Sequence, residues 1–166
     1  MSQIPDLTPD CSRCAALCCM ALAFDAGEDF AIDKPAGLPC PKLERHLCSI
    51  YEDLEEEGFS GCARYTCTGA GQRVTQEVFA GKSWQDEPEL AAPMSEALRQ
   101  MKAVHEALEL LAYAENLGLE DDDEEVREAL LAALTPEEGF TPETLAATAE
   151  PVKRVPAFLA TLRDYI

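Results

Sequence analysis

Histidine is nearly missing from this chain, with two in 166 residues. Acid–base or triad chemistry built on imidazole therefore has only His46 and His105 to use. His46, between Arg45 and Leu47, could join a mixed ligand set but reads more naturally as a surface group. His105 falls between Val104 and Glu106 in a helical stretch, and neither Ser83 nor Ser95 stands at triad spacing from it. The sequence offers no catalytic constellation.

Basic residues are also scarce. Thirteen Lys and Arg face 32 Asp and Glu, a formal charge of −19. The imbalance is spread along the chain: residues 1–70 carry 5 basic and 12 acidic side chains, residues 71–166 carry 8 and 20. A surface of one negative sign repels phosphate backbones and anionic lipid heads. Nucleic acid and membranes are thus excluded as direct partners, and the expected partner is a protein presenting a basic surface. No stretch of about 18 apolar residues occurs, and residues 1–10 lack a charged segment followed by an apolar one. The expected compartment is the cytoplasm. A dinucleotide site is equally unsupported: Gly69-Ala70-Gly71 lacks the third glycine and the apolar helix behind it, and reads as a turn.

Cysteine is absent from the last 99 residues, yet eight cysteines lie within the first 67. Their order is Cys11-x2-Cys14-x3-Cys18-Cys19, then Cys40, Cys48, Cys62 and Cys67. In a reducing compartment such thiols are ligands or redox groups before they are disulfides. The neighbours Cys18 and Cys19 cannot bond to each other without straining the peptide between them. For any one cysteine, Cys19 and Cys67 first, a small buried apolar role is the alternative; for all eight it fails.

Composition changes near residue 70, and the chain is divided after residue 84. Residues 1–84 form a loop-rich, cysteine-rich metal-binding module, and 85–166 a helical region packed on it as one compact unit. In the first part, prolines and glycines break the chain into short pieces. Two stretches there read as helices, Cys11 to about Phe24 and Pro41 to about Glu57, the second because Leu43, Leu47, Ile50 and Leu54 recur at helical intervals. The alternating Asp29-Phe30-Ala31-Ile32-Asp33 suggests a short strand, and residues 72–79 fit strand or helix. Trp84 is placed at the junction of the halves.

The second part reads as three to four packed helices. Pro93–Leu117 carries Ala97, Met101, Val104, Leu108 and Leu111 on one face and stops at Gly118. The acidic run from Glu120 to Glu125 suits the start of a helix and lacks calcium-loop spacing. Thr135-Pro136-Glu137 and Thr141-Pro142-Glu143 each resemble a capped helix start, and Pro151 and Pro156 break the C-terminal stretch into short helices. The expected fold class is mainly α.

If residues 11–19 are helical, Cys11, Cys14 and Cys18 fall within about 60° of one another, with Cys19 turned aside. A tetrahedral zinc site needs a fourth ligand from far along the chain. Cys40, Cys48, Cys62 and Cys67 are the candidates, so all eight cysteines are candidate metal ligands. Zinc is favoured; a [4Fe-4S] cluster is the alternative, although Cys-x2-Cys-x3-Cys is not ferredoxin spacing. Eight ligands suit two zincs, one zinc with spare thiols, or one cubane. A Cys11/Cys14 redox dithiol is a third reading, without the strand that normally precedes that motif. Closed coordination would make the metal structural and the protein an interaction module; spare thiols would make it a metal-handling, electron-transfer or sensing protein.

The blocks Cys11–Cys19, Gly37-Leu38-Pro39-Cys40-Pro41-Lys42-Leu43, Cys48-Ser49-Ile50-Tyr51-Glu52 and Cys62-Ala63-Arg64-Tyr65 resemble the cysteine-cluster zinc- or iron-chelating domains of YkgJ type. That family follows Tyr-Glu with x-Arg-Pro-x-x-Cys; here Asp53–Gly61 intervenes before Cys62. A closer resemblance, over residues 11 to about 84, is to the cysteine-rich region that precedes pentapeptide repeats in some actinobacterial proteins. It is carried by residues 29–37, Gly58-Phe59-Ser60-Gly61-Cys62 and Cys67-Thr68-Gly69-Ala70-Gly71-Gln72, and no tandem repeats follow. The resemblance implies a metal-binding module and brings no known reaction.

Overall fold

The computed structural model describes residues 4–166. The fold is mainly helical, with irregular loops concentrated before residue 70. Its spine is α4 (Ala91–Glu115), preceded by α1 (Leu17–Ala21), α2 (Ser60–Arg64) and α3 (Ala70–Arg73), the last continuing into a π-helical turn at Val74–Val78. α5 (Asp121–Leu134), α6 (Pro142–Ala147) and α7 (Ala149–Thr161) follow. The only sheet among the described residues is a two-stranded antiparallel pair, β1 (Leu43–Glu44) and β2 (Leu47–Cys48), with Leu43 opposite Cys48. No helix of the described residues is long and apolar enough to cross a membrane.

α4 forms where the apolar period predicts it. Met94, Ala97, Leu98, Met101, Val104, Leu108 and Leu111 are all buried along it, and Gly118 takes the left-handed conformation just beyond its end (φ 67°). The acidic run begins α5, with Asp121, Asp122, Asp123 and Glu124 in its first turn, where negative charge meets the positive end of the helix. Thr141 starts α6 through a capping box with Thr144. Two signals misread the backbone. Thr135 ends α5 instead of starting a helix, its hydroxyl donating to the Leu131 carbonyl, and Gly139 turns the chain at φ 81°. Pro156 lies inside α7 without ending it; the flanking Val155 and Phe158 are buried, and that packing outweighs one lost backbone hydrogen bond.

The first half departs further from its local pattern. Residues 11–24 are not one helix: Cys11–Arg13 is a single 3-10 turn, Cys14 is extended, and Ala16 sits in the left-handed region at φ 54° before α1 begins. Tertiary bonds take the backbone groups a helix would have used. The Ala15 N–H donates to Thr75 Oγ1 at 3.0 Å, its carbonyl accepts from Trp84 Nε1 at 2.6 Å, and the Arg13 carbonyl accepts from Gln76 Nε2 at 2.8 Å. Residues 41–57 are likewise not one helix, and only Tyr51–Asp53 makes a 3-10 turn. Arg45 at φ 57° turns the β1–β2 hairpin, Ser49 bonds back to the Lys42 carbonyl, and Leu47 is 50% exposed. Residues 29–33 form no strand; Phe30 instead stacks on Phe24 with centroids 4.5 Å apart. The open segment 72–79 is helical.

Two apolar clusters result. The larger joins Leu17, Met20, Ala70 and Val74 to α4, α5, α6 and α7. The smaller is Phe24, Leu54 and Phe59 with Phe30 and Ile32 against them. Gly61 closes the smaller one: a Cβ there would lie 2.3 Å from the Phe30 ring. Gly61→Ala is expected to push that ring off Phe24 and cost about 1–3 kcal/mol, read as a lower urea midpoint at unchanged m-value. An unchanged midpoint would mean that Phe30 swings aside freely.

Candidate metal centre

The eight cysteines are all free, with Cys11 exposed and the other seven half-buried. Gln72 and Gln76 hold the first of them in place. Gln72 Oε1 accepts from the Asp10 N–H and its Nε2 donates to the Thr8 carbonyl, while Gln76 fixes Arg13. The Cys11–Cys14 turn is thereby strapped onto α3. Gly71 lets Cys14 approach: a Cβ at Gly71 would stand 2.7 Å from Cys14 Sγ and 3.9 Å from Cys67 Sγ. The missing side chain is a cradle occupied by two sulfurs.

α1 carries Cys18 and Cys19. Leu17 and Met20, fully buried, fix that helix to the larger core. The Cys19 carbonyl accepts from the Cys40 N–H at 2.9 Å, bringing the Pro39–Pro41 loop to α1. Cys40, Cys48 and Cys62 pack on the smaller cluster, Cys14 and Cys67 on the larger. Cys18 and Cys19 are thus brought beside Cys40, and of the remaining cysteines all but Cys11 are shared between the two clusters. Among the described residues, however, no three His, Cys, Asp or Glu side chains stand gathered as a ready metal-holding group.

Burial pushes the thiols of Cys11, Cys48, Cys14 and Cys62 up, the last two to about 11, and neighbouring thiol charges add to the rise. For Cys14 those neighbours are Cys18 and Cys67; for Cys62 they are Cys18, Cys40 and Cys48. Cys18 moves the other way, to about 7, chiefly because the Cys19 thiol hydrogen-bonds to its thiolate; Cys19 is raised in consequence and keeps its proton. The pair releases one proton readily and the second with difficulty. Of the two, Cys18 is the one that gives up its proton first.

Two further groups face these sulfurs, and sequence reasoning singled out neither. Lys34 is 4% exposed. Its ammonium donates to the carbonyls of Met20, Pro35 and Leu38 at 3.1, 3.0 and 2.6 Å and lies over the Phe24 ring. Burial lowers its pKa, while the charges of Cys40, Cys19 and Cys18 act to raise it. The Tyr65 hydroxyl is buried with no hydrogen-bond partner, near Cys18, Cys67 and Cys14. A lone lysine in a Pro/Gly-rich loop carries no periodic signal.

The donor chemistry fits a thiophilic ion. Soft sulfurs, a cradle opened by a glycine, a buried cation and an unpaired hydroxyl near the sulfurs are compatible with an anionic metal–thiolate centre. The two histidines stand outside it. His46 is exposed in the hairpin turn, and His105 is buried between the Thr68 carbonyl and Arg73.

No family description matches the chain, and no solved structure matches it. It is similar to YybG, an uncharacterised protein of Bacillus subtilis, with 44% identity over 115 residues. That alignment takes in 69% of this chain but 41% of YybG, so the chain spans well under half of its relative's length.

Proposed function

We propose that this chain is a metal-binding protein of the cytoplasm. Its N-terminal cysteines hold zinc in a closed, structural centre, and its acidic surface docks a protein partner of basic character. The observation that carries the reading is Lys34. A buried ammonium held by three carbonyls has its hydrogen bonds satisfied, but its charge is not offset by any carboxylate ion pair among the described residues. The ionisable side chains that bear on its charge are Cys40, Cys19 and Cys18, whose sulfurs become anionic on binding a metal.

Bound zinc would cross-link the loops of residues 11–67 to α1, supplying order that a three-residue apolar cluster alone does not. The chain's own residues do the rest. Gln72 and Gln76 hold the Cys11–Cys14 turn, Gly71 admits Cys14, and Lys34 offsets negative charge. Tyr65 would donate its free hydroxyl to a ligating sulfur.

The test is metal and acid-labile sulfide per chain, with the visible spectrum, after anaerobic purification without a metal-binding tag. Stoichiometric zinc in a colourless protein is the expected result. Iron and sulfide with absorbance near ~400 nm would replace zinc by a cluster and make electron transfer or sensing the function. Absence of both would overturn the metal reading and return the cysteines to thiol chemistry.

A further inference from the structure

We infer that Cys14 and Cys67 are a redox pair, which a low-molecular-weight disulfide closes into a bridge across Gly71. The inference goes beyond the zinc reading and does not rest on it: a bridge needs two sulfurs and no ion, although an ion held by either sulfur would have to leave first.

Among the described residues no three ligating side chains gather, but two sulfurs do share a space. A Cβ at Gly71 would lie 2.7 Å from Cys14 Sγ and 3.9 Å from Cys67 Sγ. None of the other glycines has a sulfur among its nearest neighbours. Gly71 is buried inside α3, and its φ lies outside the left-handed region that favours glycine. Alanine would suit that helical backbone better. The missing methyl therefore answers to the sulfurs beside it and not to the path of the chain.

Both cysteines are tied to the helix that carries Gly71. On either side of Cys14, the Ala15 N–H donates to Thr75 Oγ1 and the Arg13 carbonyl accepts from Gln76. The Cys67 carbonyl accepts from the Ala70 N–H at 2.9 Å, where α3 begins, and the adjoining Thr68 carbonyl is held by His105. With both backbones pinned, closure asks only for side-chain rotation into the space that Gly71 leaves open. Neither cysteine is fully buried, so a small oxidant has access to both.

The chemistry is thiol–disulfide exchange. One cysteine thiolate attacks glutathione disulfide; a protein–glutathione S–S bond forms, the original S–S bond breaks, and the released thiolate takes up a proton. The other cysteine, its proton lost to water, then displaces the remaining glutathione and forms the Cys14–Cys67 bond. Two cysteine sulfurs give up two electrons, and one glutathione disulfide becomes two glutathiones. The closed ring contains Cys18, Cys19, Cys40, Cys48 and Cys62. Oxidation thus staples the loop-rich half without a metal, and in a reducing compartment such a bond is a transient, sensing one.

The full chain, reduced and stripped of metal with a chelator, is exposed to glutathione disulfide; remaining thiols are alkylated and bridges located by peptide mapping. The expected product is one intramolecular bridge, Cys14 to Cys67. Cys14→Ser should leave Cys67 as a mixed disulfide with glutathione, and Gly71→Ala, whose methyl fills the shared space, should lose the bridge. A bridge joining another pair, or mixed disulfides alone in the unaltered chain, overturns the inference. So does a Gly71→Ala chain that closes as fast as the unaltered one. The map of the unaltered chain needs no variant to fold. It is read without metal, so a chain found to hold no zinc would fail the zinc reading and leave the pair standing.

Discussion

Between pH 6.5 and pH 4 the protein is expected to lose about 3 kcal/mol of stability that a His105→Asn variant does not lose. His105 is 1% exposed. Its Nδ1 lies 2.6 Å from the Thr68 carbonyl, which can only accept, so Nδ1 carries the proton. Its Nε2 lies 3.4 Å from Arg73 Nη1, which can only donate, so Nε2 must be bare. Both partners select the same neutral tautomer. Burial is the main force that lowers the pKa from 6.5 to about 4. The Arg73 charge acts the same way, against the Thr68 carbonyl and Glu77. In the unfolded chain the imidazole regains its ordinary affinity for protons. The unfolded state therefore binds more protons between the two pKa values, and stability falls with pH through that window. The contribution is complete above pH 6.5 and gone below about 4. Asparagine can keep the donor to Thr68 but never charges. Urea unfolding of both proteins at several pH values isolates the effect, because carboxylate and thiol titrations are common to both. A constant difference between them across the window would show that His105 takes up its proton in the folded state.

His105 also shows where local sequence stops being informative. Its place on α4 follows from the apolar period, but its partners come from residues 68 and 73, which no spacing links to it. The same holds for the cysteine half. α4, α5 and α6 are legible because their signals are local: an apolar face, an acidic first turn, a Thr-Pro-Glu cap. The chain at residues 11–16 contains good helix formers, yet Thr75, Gln76 and Trp84 claim its backbone groups from 60 or more residues away. Composition marked the eight cysteines as the candidate site, and the fold sets most of them against its two apolar clusters. Cys11, Cys14 and Cys18 do not share one helical face, because Cys14 is extended and Ala16 is left-handed between Cys14 and Cys18. Lys34 and Tyr65 were invisible for the opposite reason. A single buried charge or hydroxyl has no period and no motif, and acquires meaning only from what surrounds it.

A pair of leucines tests that distinction directly. Leu17→Ala is expected to cost about 2–5 kcal/mol, and Leu47→Ala within about 0.5 kcal/mol of nothing. Helical spacing ranks Leu47 as a core residue of a helix over 41–57, whereas Leu17 stands among small residues beside a cysteine pair. The fold reverses the ranking: Leu17 is wholly buried and Leu47 half exposed. Leu17 lies in the larger cluster with Met20, Val74 and the α4 residues, so truncation leaves a cavity where α1 meets the spine. α1 has only five residues and cannot hold itself together by its own hydrogen bonds. Loosening it frees Cys18 and Cys19 as well, so alkylation of Cys18 should quicken in Leu17→Ala and not in Leu47→Ala. Urea midpoints read the first effect and timed labelling the second. Should Leu47→Ala prove the costlier change, residues 41–57 would pack as a helix after all. The hairpin that presents Cys48 would then not exist.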